Sequence, residues 1–67
     1  DFDRASAAFK QALQLKPIYP KALYNLALLE YQRQQHQEAL KYLKTALEQE
    51  PDYPEAQALR QKILQVF

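Results

Sequence analysis

The tetrapeptide Pro17-Ile18-Tyr19-Pro20 returns as Pro51-Asp52-Tyr53-Pro54, an offset of 34 residues, and this recurrence limits the fold more than any other feature of the chain. The same offset pairs Ala5 with Ala39, Lys10 with Lys44, Ala12 with Ala46, Leu13 with Leu47 and Ala22 with Ala56, and it matches Phe9 with Leu43 in kind. One shared proline would be chance. Two prolines, a tyrosine and recurring alanines in one register mark a repeated supersecondary unit, which buries its apolar face only by stacking on its neighbours.

The residues between the prolines read as helix. Pro17 disfavours the helical conformation at Lys16 and closes the first helix; Pro20 suits the first turn of the next, where its missing N–H costs nothing. Pro51 and Pro54 repeat the punctuation. This predicts helices over about 2–16, 20–33, 36–49 and 54–66, an all-α chain of four helices. Glycine is absent from all 67 residues, although average usage of about 7% would supply four or five. A phosphate-cradling loop or an all-β chain ordinarily needs glycine at positive φ, so both are disfavoured.

The first and third helices carry one stripe, Ala5, Phe9, Ala12 and Ala39, Leu43, Ala46, at i, i+4 and i+7 on a single face. Alanine at these positions allows two helix axes to approach toward the short end of the usual 8–10 Å range, with Phe9 or Leu43 filling the space between.

In this register residues 20–51 resemble one full tetratricopeptide repeat. Leu23, Leu26, Ala27, Ala39, Leu43, Ala46 and Pro51 stand where that family places its large-apolar, small, alanine, aromatic, alanine and proline positions. The resemblance covers the whole chain and implies antiparallel helix-turn-helix repeats, a fragment of an α-solenoid. It divides the single domain into the second helix of a preceding repeat (1–17), one full repeat (18–51) and a terminal or capping helix (52–67). Three departures stand out. Glu30 occupies a usual aromatic position, with Tyr31 beside it. Gln34 replaces the usual turn glycine, which requires a left-handed non-glycine residue at roughly 1–2 kcal/mol. Arg60 and Gln61 replace an apolar and a small residue, so the last helix reads as a cap with a solvated outer face.

The resemblance also implies a function: a non-catalytic scaffold that holds a protein or peptide partner in a concave groove lined by the first helix of each repeat. On the second helix Tyr24, Leu28 and Tyr31 form a third apolar row, which the resemblance directs into that groove. Lys21, Asn25 and Gln32 flank the row, and Glu55, Ala58, Leu59 and Lys62 extend it from the fourth helix. Tyr24 and Tyr31 suit amphipathic anchoring and Asn25 suits bonding of a ligand backbone. Some family members grip the terminal carboxylate of chaperone tails with lysines, asparagines and an arginine. Lys21 and Asn25 each match one element, but Tyr24 and Leu28 replace another pair, and Glu55 and Leu59 stand where a cation is needed. A carboxylate at Glu55 counts against that ligand.

Other function classes find little support. Net charge is +1 and the basic residues are scattered, whereas nucleic-acid capture needs a concentrated basic stripe. A period of 34 and near-zero charge also separate the chain from RNA-reading pentatricopeptide arrays. The longest apolar run, Leu26 to Leu29, is far below the roughly 18 residues of a membrane span. No cysteine is present, and no metal-ligand set or cofactor motif is visible. His36, the only histidine, falls at a turn with no serine, cysteine or paired carboxylate placed to work with it, so no enzyme is expected. No signal peptide opens the sequence. A soluble, cytoplasmic protein is the expectation, with the compartment left open, and Asp1 reads as the edge of a longer chain.

The first helix lacks a repeat partner, so the face bearing Phe2 and Phe9, or the side bearing Ala8 and Leu15, is expected to be exposed and to support self-association. Residues 21–50 contain neither Gly nor Pro. Helices two and three are therefore also expected to be able to fuse through Gln34-Gln35-His36 into a rod that exchanges halves between chains.

Overall fold

The computed structural model describes residues 2–66, with side chains described from Asp3 to Gln65. Four helices follow one another: α1 (Phe2–Leu15), α2 (Pro20–Gln32), α3 (His36–Gln49) and α4 (Pro54–Val66). Both proline pairs act as their stereochemistry dictates. Pro20 and Pro54 open α2 and α4, and Pro17 and Pro51 lie in the connections that precede them. The Lys16 N–H still bonds the Ala12 carbonyl at 2.8 Å, so α1 frays one residue before the expected end. Arg33 caps α2 instead of belonging to it.

The α2–α3 connection is a complete Schellman motif. The Gln35 N–H donates to the Glu30 carbonyl (2.8 Å), and the Gln34 N–H donates to the Tyr31 carbonyl (3.0 Å). Gln34 takes φ 62°, the left-handed value that glycine usually supplies at this position. The turn is closed, so the fused rod exchanged between chains is not what this sequence forms here: the two hydrogen bonds offset the strain at Gln34.

α2 and α3 form the most extensive helix pair; α1 packs on α2, α4 packs on α3, and α4 also touches α2. The result is a slab of 33 × 27 × 15 Å. Its main core gathers Ala27 from α2, Ala39 and Leu43 from α3, and Ala56, Leu59 and Ile63 from α4. Ala39, Leu43 and Ala46 are 0% exposed, whereas their counterparts Ala5, Phe9 and Ala12 are only half-buried. The difference is positional: α3 lies between α2 and α4, while α1 has α2 alone. Small residues permit close approach in both helices, but burial follows only where a neighbour arrives on each side.

Phe9, expected to be left exposed, is therefore half-covered by α2, whereas Ala8 is exposed and Leu15 is 84% exposed. The Phe2 side chain lies outside the described residues. Ser6, buried on the same helix, joins Phe9 and Leu13 on the α2-facing side.

Two glutamines tie the connections to the helices. Gln49, at the end of α3, accepts from the Tyr19 N–H through Oε1 (2.9 Å) and donates from Nε2 to the Pro17 carbonyl (3.0 Å). Gln57 of α4 donates to the Pro51 carbonyl at 2.8 Å. Backbone groups left over at a proline-bounded joint need partners, and amides, which both donate and accept, supply them.

Candidate peptide groove

α2 and α4 are the helices that begin with the paired prolines, and their facing side chains form a shallow groove of about 320 Å³. Tyr24 and Leu28 line it from α2; Glu55, Ala58, Leu59 and Lys62 line it from α4. Tyr24 and Leu28 are half-buried because they rest on the main core and are not covered beyond it. Leu59, expected as part of the groove surface, is only 6% exposed and belongs mainly to the core. It forms the floor.

The other residues assigned from sequence surround this groove without entering it. Lys21 lies in a neighbouring depression with Lys16, Tyr19, Pro20, Glu50 and Tyr53. The ring of Tyr24 meets that of Tyr53 at 5.5 Å, tilted by 42°, and this pair stands between the two depressions. Tyr31 and Gln32 line a third depression with Gln34 and His36. Tyr31 contacts the His36 ring edge-on at 5.6 Å, and the Lys62 ammonium sits 5.7 Å from the centre of the Tyr31 ring. Asn25 is half-buried on α2 and lines none of the three.

Charge also acts on the tyrosine pair beside the groove. The Tyr53 hydroxyl is pushed above its ordinary value, chiefly by partial burial and then by the Glu55 carboxylate, with Tyr24 and Glu50 adding to the effect. The ion pairs of Glu30 with Arg33 at 3.2 Å and of Lys41 with Glu38 at 3.4 Å involve none of the residues that line the groove. Among the described residues no cluster of three His, Cys, Asp or Glu side chains comes together. No helix among them is long and apolar enough to cross a membrane.

Residues 1–63 match the family described as the tetratricopeptide repeat. The chain belongs to that family. Tetratricopeptide repeats generally mediate protein–protein interactions and are typically non-catalytic scaffolds. No curated protein sequence shows significant similarity to the chain.

Sequence reasoning about this tetratricopeptide chain missed two structural features. Ile63 is 0% exposed and completes the core beneath the groove; Ala56, Leu59 and Ile63 at i, i+3 and i+7 carried that signal. A further depression, about 500 Å³, opens on another face of α4, lined by Leu40, Lys44, Leu47, Glu48, Arg60 and Leu64. The exposed Leu64 was its only local cue.

Proposed function

We propose that this tetratricopeptide chain holds an extended peptide segment of a protein partner in the α2–α4 groove. The observation that carries the reading is the half-burial of Tyr24 and Leu28 over a floor made of core residues. Anchors already fixed by packing lose little further freedom when a ligand covers them, and tyrosine offers both a large apolar body and a hydroxyl. Asn25 and Lys21 lie along the same helix, and Tyr31, Gln32 and Lys62 continue the surface at its other end. The larger depression beside Arg60 and Leu64 offers no aromatic anchor.

The same reading keeps the division of the chain into a preceding half-repeat, a full repeat and a closing helix. Its support is α4, where Gln57, Arg60 and Gln61 are exposed at positions equivalent to the buried Leu23, Leu26 and Ala27 of α2. A stacked array needs such a polar face at its end.

A specific observation also favours self-association through α1. Leu15 and Ile18 are 84% and 69% exposed, and Ala5, Phe9 and Ala12 are half-buried where their α3 counterparts are fully covered. Tyr24→Ala and Phe9→Ala separate the two readings. Loss of captured partner with Tyr24→Ala, at unchanged oligomeric size and helical content, supports the groove. Loss of assembly with Phe9→Ala while Tyr24→Ala leaves capture intact sinks it in favour of self-association.

A further inference from the structure

We infer that the α2–α4 groove selects peptides in which a basic and an acidic residue flank an aliphatic one at a separation of about 10 Å. The inference rests on the groove reading above and adds what the groove chooses. Glu55 and Lys62 both line it, on one face of α4 and seven residues apart. Seven residues of helix advance about 10.5 Å, so the two charges mark opposite ends of the groove. Ala58 and Leu59 lie between them, facing Tyr24 and Leu28, so the middle is apolar.

Neither Glu55 nor Lys62 forms an ion pair among the described residues, unlike Glu30 with Arg33 and Glu38 with Lys41. Lys62 is steadied over the Tyr31 ring, a contact that leaves its N–H donors available to a carboxylate. Glu55 lines the same end of the groove as Tyr24, whose ring meets that of Tyr53 at 5.5 Å. A ligand in the extended polyproline II conformation rises about 3.1 Å per residue and returns to the same face every third residue, so side chains three residues apart meet the two charges about 9 Å apart. The complementary ligand carries Lys or Arg at one position, Glu or Asp three residues away, and an aliphatic side chain between. A peptide with the same charge at both ends meets one attraction and one repulsion.

The test uses the 67-residue chain and three labelled peptides of equal length, with cores Lys-Leu-Ala-Glu, Lys-Leu-Ala-Lys and Glu-Leu-Ala-Glu in neutral flanks, followed by fluorescence anisotropy. The mixed-charge peptide is expected to bind tightest, by about two- to fivefold over either like-charged one, and to lose that advantage at high salt. Glu55→Lys is expected to move the preference to the Glu-Leu-Ala-Glu peptide, and Lys62→Glu to the Lys-Leu-Ala-Lys peptide. Both sites are exposed, and circular dichroism verifies that the variants remain folded. Equal binding of all three peptides, abolished by Tyr24→Ala, overturns the charge selection and leaves the groove reading in place. Binding by none of them overturns both.

Discussion

Replacing Gln34 with glycine should stabilise this protein, and the gain can be worked from the turn geometry. Gln34 holds φ 62° inside a Schellman motif whose two hydrogen bonds involve only backbone atoms, so glycine preserves both. A residue with a Cβ loses roughly 1–2 kcal/mol in the left-handed region. Glycine removes that strain but adds about 0.5–1 kcal/mol of backbone entropy to the unfolded chain. The net gain is about 0.5–1 kcal/mol, against a total stability of roughly 3–10 kcal/mol for a chain of this size. For a domain of this length each kcal/mol moves the midpoint by about 4–8 °C, so Gln34→Gly should raise Tm by about 2–8 °C. Far-UV circular dichroism melts of Gln34→Gly, Gln34→Ala and the parent form the assay. Alanine keeps the Cβ and should give no comparable rise. A Gln34→Gly midpoint at or below that of the parent, or an equal rise with alanine, would refute the strain argument.

Ala46 is 0% exposed, and Ala46→Arg places a long charged side chain where the helices meet. The cost should be about 3 kcal/mol or more, enough to remove most cooperative unfolding at 25 °C; a melt indistinguishable from the parent's refutes the packing. Gln49→Ala deprives the Tyr19 N–H and the Pro17 carbonyl of their partner and should cost about 1–2 kcal/mol in urea unfolding. Amide exchange at Tyr19 should accelerate more than exchange in α3, and an unchanged Tyr19 rate would show that the brace carries no load.

The helices were legible because their limits are local. Proline fixes its own φ and restricts the residue before it, so Pro17, Pro20, Pro51 and Pro54 punctuate the chain whatever packs around them. The strained turn at Gln34 was legible for the same reason: a connection too short for any other reversal demands a left-handed residue. The groove was legible only as a row of residues on α2. Its partition by Tyr24–Tyr53 and Tyr31–His36, and the role of Leu59 as floor instead of wall, depend on how α4 meets α2. Gln49 gave no warning of its bridge to Tyr19 and Pro17, because the partners are about thirty residues away in sequence.

By itself the sequence determined the 34-residue period, the four helices and the small-residue stripes, all of which follow from steric rules acting within a few residues. Only the tertiary structure decided which copy of a stripe becomes core. Ala5, Phe9 and Ala12 match Ala39, Leu43 and Ala46 in register, yet the first set remains half-buried and the second is sealed. Burial is a property of neighbours, and a helix flanked on both sides loses solvent that a helix flanked on one side keeps.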